Sequence, residues 1–113
     1  MQSTSPAAMG STYLANLKIE IELPRRGIST QVIQNDEHVR ITAFGFAAGE
    51  EIETHSSPLA AMLYFLEGEA DVQLDREICS VEAGSFINVE PFMLHGMAAK
   101  SPVRMVRVQV KAH

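Results

Sequence analysis

Gly49-Glu50-Glu51-Ile52-Glu53-Thr54-His55-Ser56-Ser57-Pro58-Leu59-Ala60-Ala61-Met62-Leu63-Tyr64-Phe65-Leu66-Glu67-Gly68 decides how this chain folds. Ala47-Ala48-Gly49 breaks the chain, residues 50–55 form a short polar strand, and Ser56-Ser57-Pro58 breaks it again. Residues 60–66 are nearly all apolar, and Gly68 ends the run too soon for a helix, so it reads as a buried strand. Successive side chains of a strand face opposite sides. Parity with Ala61 and Leu63 therefore sends Phe65 inward and Tyr64 outward.

Working outward, the same grammar repeats. Ala70, Val72 and Leu74 alternate with Asp71 and Gln73, Asp75-Arg76-Glu77 reverses the chain, and residues 78–81 return. Ala83-Gly84 turns into Phe86, Ile87 and Val89, which Pro91 caps; residues 94–98 and 103–110 are the last strands. Upstream, residues 27–34 and 38–46 are strands around the turn Asn35-Asp36-Glu37. The second puts Val39, Ile41 and Ala43 on one face and His38, Arg40, Thr42 and Phe44 on the other. Residues 17–23 alternate apolar and charged side chains at period two and predict one more strand, stopped by Pro24. Short strands, turns roughly every 8 to 12 residues and no helix predict an all-β sandwich or barrel.

Length and composition set the frame. At 113 residues the chain has room for one domain. We expect a flexible N-terminal arm over residues 1–16, rich in Ser, Thr, Ala and Gly, and a single barrel domain over 17–113. The net charge of −5 has its signs interspersed, and Arg25-Arg26 is an isolated pair. A nucleic-acid partner would need a basic stripe, so none is expected. No stretch approaches the ~20 apolar residues of a membrane helix, and residues 1–17 lack the charged start and apolar run of an export signal. A soluble cytoplasmic protein with no membrane partner is the expectation. Cys79 is the single cysteine, which excludes an intrachain disulfide; a small buried thiol is the reading.

Two glycine-to-histidine spans carry a resemblance. The first is the stretch quoted above; the second is Gly84-Ser85-Phe86-Ile87-Asn88-Val89-Glu90-Pro91-Phe92-Met93-Leu94-His95. Their spacing resembles the cupin family, whose motifs read G(X)5HXH(X)3E(X)6G and G(X)5PXGXXH(X)3N. Gly49 to His55, His55 to Gly68 and Gly84 to His95 match without a gap, and one hairpin separates the motifs. The resemblance spans about residues 28–111 and implies a double-stranded β-helix (jelly-roll) barrel, often a homodimer. It also implies a metal held by three histidines and a glutamate. Here His55 matches the first ligand and His95 the last, whereas Ser57 and Ala61 stand where the second histidine and the glutamate belong. Glu90, Phe92 and Ala99 replace the second motif's Pro, Gly and Asn.

The reduced donor set leaves several functions open. His55 and His95 would hold one divalent ion weakly (zinc, nickel, copper, iron or manganese), since Ser57 is a poor ligand beside an imidazole or carboxylate. The bland alternative is a pair of neutral imidazoles giving polarity to the barrel mouth; in a third, one of them is a general base toward a bound organic acid. The expected pocket comprises Ser57, Ala61, Leu63, Phe65, Phe86 and Met97. Arg40 joins it to pair a carboxylate if its face lines the lumen. The leading function is non-catalytic binding of a small organic ligand. The alternatives are a metal-dependent dioxygenase or isomerase, with Glu53 or His38 as third ligand, and a structural or regulatory dimer. Met62, Met93, Met97 and Met105 read as pliable packing.

Overall fold

The computed structural model of the chain describes residues 10–111. Residues 1–9 of the expected arm lie outside the described residues. One helical turn, α1 (Leu17–Glu20), precedes nine strands among the described residues: β1 (Ile28–Asn35), β2 (Val39–Phe46), β3 (Glu51–His55), β4 (Ala60–Glu67), β5 (Ala70–Leu74), β6 (Glu77–Val81), β7 (Phe86–Val89), β8 (His95–Ala99) and β9 (Val103–Val110). The larger sheet runs β1-β2-β9-β4-β7 and the smaller β3-β8-β5-β6. Every pairing is antiparallel. From β2 onward the chain alternates between the sheets, except at the β5–β6 hairpin, as the expected double-stranded β-helix does. No helix among the described residues is long and apolar enough to cross a membrane.

The registers turn sequence parity into layers inside the barrel. On the larger sheet Phe46 opposes Val103, Phe44 opposes Met105, and Met105 opposes Phe65. These five are buried in the main core with Val72, Val81 and Val89. Burying a Phe or Val side chain contributes roughly 1.5–3 kcal/mol, so this layer holds the sheets together. One layer on, Thr42 opposes Arg107, Arg107 opposes Leu63, and Leu63 opposes Ile87. Facing it from the smaller sheet, His55 opposes His95 and His95 opposes Leu74. The lumen thus passes from an apolar floor to a polar mouth.

The expected strand over residues 17–23 is instead the single turn α1. LKIEIEL also satisfies helical spacing, and Asn16 decides between the two. Its side chain accepts the Ile19 N–H at 3.3 Å, an N-cap bond. The turn lets Leu17 and Ile21, four residues apart, pack on the outer face of the larger sheet with Ala43 and Val106. The chain then crosses β2 so closely that a Cβ on Gly45 would lie 1.7 Å from the Glu22 carbonyl oxygen. Arg104 Nε donates to the Ile21 carbonyl at 2.7 Å and its guanidinium pairs with Glu67, fastening the segment down.

Candidate site at the barrel mouth

Two adjacent strands present the histidines. In β8, His95, Met97 and Ala99 follow strand parity inward. In β3 the register with β8 shifts between Ile52 and His55, a β-bulge. Ile52 packs against the main core, so simple alternation would turn His55 outward. The extra residue of the bulge re-aims it, and Ile52 and His55, three apart, both line the internal cavity. Gly96 makes the bulge sterically feasible. A Cβ there would sit 2.8 Å from the Ile52 carbonyl oxygen and 3.0 Å from the Thr54 nitrogen.

The rings of His55 and His95 lie 4.4 Å apart, tilted by 49°. Each is oriented by its own strand, with Nδ1 2.9 Å from a carbonyl oxygen two residues back, Glu53 for His55 and Met93 for His95. A carbonyl oxygen only accepts, so Nδ1 carries the proton and Nε2 of the neutral ring keeps its lone pair. Both Nε2 atoms are therefore acceptors, or metal donors.

Ile52, Leu63, Gly96, Met97, Met105 and Arg107 complete the lining of a cavity of about 30 Å³. That is room for about two water-sized groups, so it admits the head of a ligand. Arg107 enters from β9 with its guanidinium carbon 4.9 Å from the Phe44 ring centre. Burial and the nearby charge of Arg40 push its pKa below the usual arginine value. Its Nε is buried without a hydrogen-bond partner, and so is Oγ1 of Thr42 directly across the ladder.

Of the expected pocket residues, Leu63 and Met97 line this cavity beside the histidines. Phe65 and Ala61 are buried in the apolar core, and Ser57 Oγ is engaged locally, accepting the Leu59 N–H at 3.1 Å. Phe86 is a correction: it opposes Tyr64 across β4 and β7, faces outward, and is 59% exposed. Its neighbour Ile87 packs on the core instead. Arg40 lies on the lumen-facing side of β2 but is exposed at the rim, reaching the site through its charge.

The suggested third ligands fall elsewhere. His38 sits in the β1–β2 turn with Glu37 at 3.4 Å. Parity alone would put Glu53 on the face of His55, but the bulge separates them. With Glu51 and Asp71 it borders a groove of about 420 Å³ on the outer surface of the smaller sheet. Sequence reasoning misses Arg107 and the bulge; the available signals are the shared parity of Met105 and Arg107 and the glycine directly after His95.

A family model described as the Cupin domain matches residues 43–109. The chain belongs to the cupin family. No curated protein matches it. Among solved structures, this cupin is similar to a conserved protein of unknown function from Streptococcus pyogenes. The TM-score is 0.83 at 26% identity, covering 100% of this chain and 97% of that one. KdgF from Halomonas sp. shares the fold at TM-score 0.73 and 17% identity, covering 77% of this chain and 82% of that one. A mutant of the salicylate 1,2-dioxygenase from Pseudoaminobacter salicylatoxidans does so at TM-score 0.70 and 18% identity, over 74% of this chain and 26% of that one.

Cupins often bind metal, and the site can be tested for that fit. Two imidazole nitrogens are suitably turned. Among the described residues, however, no group of three or more His, Cys, Asp or Glu side chains could hold an ion. The next polar group in the lining is the cation Arg107, which repels a metal. The donor set does not fit the three protein ligands of a catalytic zinc or iron site.

Proposed function

We propose that this cupin is a small-ligand-binding barrel, non-catalytic, which holds the polar head of an organic molecule at the mouth by hydrogen bonds. One observation carries the reading: the His55 and His95 rings, anchored through Nδ1, present two acceptor atoms at a head-sized cavity whose next polar neighbour is a guanidinium. The test is thermal unfolding against a panel of small organic acids, alcohols and amides, with His55→Ala/His95→Ala as control. A ligand that raises the midpoint of the wild type and not of the control supports the reading. No response across the panel overturns it.

A second reading, a metal-dependent dioxygenase or isomerase, is favoured by the same Nδ1 anchoring. Backbone carbonyls orient metal-bound imidazoles in this way. Near-stoichiometric metal in protein purified without chelator, lost in the double histidine variant, would replace the first reading with this one.

The proposal includes a homodimer. Tyr64 and Phe86, opposed and exposed on the outer face of the larger sheet, support it with an apolar patch. Light scattering checks it: a monomer mass at all concentrations rejects the dimer.

A further inference from the structure

Buried polar groups in folded proteins nearly always have a partner, and an exception calls for a ligand or another cause. In this barrel two such exceptions adjoin. Thr42 is 4% exposed, and its Oγ1 has no partner. Arg107 Nε, opposite it across β2 and β9, has none either. Partly buried Arg104 is matched with Glu67, and Lys18, Lys100 and Lys111 have partners too; the Nε of Arg107 differs in being buried with none. Arg107 has no ion pair or side-chain hydrogen bond among the described residues. Arg40 adds a second positive charge close enough to act on it.

A hydroxyl and a guanidinium N–H side by side, with excess positive charge, are complementary to an anion. Arg107 shares the wall of the cavity with His55 and His95, and Thr42 stands next to it on β2, just behind that wall; the two Nε2 lone pairs call for a hydrogen-bond donor. The cavity has room for about two water-sized groups. We infer that Arg107 and Thr42 form a carboxylate subsite beside the histidines, and that the ligand is a small hydroxy acid. The carboxylate accepts from the Arg107 guanidinium at the cavity wall, and a small turn of that side chain opens the buried Thr42 Oγ1–H as a second donor; the hydroxyl donates to Nε2 of His55 or His95. The remainder of the molecule projects through the mouth past Arg40. This rests on the ligand-binding reading above and narrows it to one chemical class.

The probe is glycolate, with glycolamide as its neutral counterpart. Both are titrated into ¹⁵N-labelled protein while the Arg107 Nε–H and imidazole nitrogen signals are followed. Glycolate should shift both sets saturably along one binding curve, and glycolamide should bind at least tenfold more weakly. Arg107→Met should cost glycolate tenfold or more in affinity. Thr42→Val, which keeps the shape and removes the donor, should cost about threefold and serves as the second variant if Arg107→Met fails to fold. Equal binding of glycolate and glycolamide, an Arg107 signal that does not move, or full affinity in Thr42→Val overturns the inference. Binding of neutral ligands alone would sink this inference but spare the broader reading. Stoichiometric metal on the histidines would sink both.

Discussion

The floor and the mouth of one lumen follow opposite rules. At the floor, Phe46, Phe65, Val72 and Val103 are almost fully buried against one another and hold no polar group that needs an answer. At the mouth, one layer away on the same strands, Arg107 Nε and Thr42 Oγ1 are held without partners, and Arg107 shares its cavity with two histidines. The floor is optimised for the empty protein. On the proposed reading, the mouth is arranged for something the chain does not itself supply. That reading assigns neighbouring layers of one barrel to stability and to recognition, with the boundary between Met105 and Arg107.

The sharpest way to break this contrast is to truncate the floor. Phe65→Ala should cost about 3–5 kcal/mol, read by urea unfolding, and the loss should be the same with or without ligand. Next comes Gly96→Ala. Its methyl group meets backbone of β3 rather than a flexible side chain, so about 1–3 kcal/mol of overpacking is expected. The contact between the His55 and His95 rings should loosen with it, visible as loss of the ring-to-ring nuclear Overhauser effect. Arg107→Met should change stability by less than about 1 kcal/mol, since losing the Phe44 contact is offset by removing an unsatisfied donor. A loss comparable to that of Phe65→Ala would place Arg107 with the floor.

The smallest effect concerns the hairpin that carries Arg40 to the rim. The Asp36 carboxylate accepts from the Val39 N–H, the Gln34 side-chain amide and the His38 N–H, and these bonds lower its pKa from 3.8 to about 2. A depressed carboxylate pKa adds stability above its unfolded value, lost as pH falls from 3.8 toward about 2. NMR titration of the Asp36 carboxyl should show that low midpoint, and Asp36→Asn should abolish the associated acid-range shift of the β1–β2 turn signals. A midpoint at the ordinary value would mean that these bonds do not hold the turn in solution.

Much of this is legible in the sequence, for physical reasons that differ by element. The strands after residue 27 are readable because breakers punctuate them and their apolar parity is clean, and motif spacing locates His55 and His95. Residues 17–23 mislead because LKIEIEL fits two periods and only the Asn16 cap separates them. Phe86 is easily misplaced because FINV offers apolar side chains to both faces, and register alone shows that Ile87 points inward. Glu53 is misjudged because parity counting assumes an unbulged strand. Arg107 escapes notice because an inward arginine in VRMVRVQV looks like its outward neighbour Arg104 until the floor is known.

The bulged β3 and regular β8 belong to the smaller sheet, whereas Thr42 and Arg107 belong to the larger. A molecule gripping both sides would therefore act as a clasp between two leaves otherwise joined at this end by loops and side-chain packing. Breathing of the leaves at the open end would be damped when the clasp is closed. Amide exchange should then slow in β3, β8, β2 and β9 together, including at positions that never touch the bound molecule.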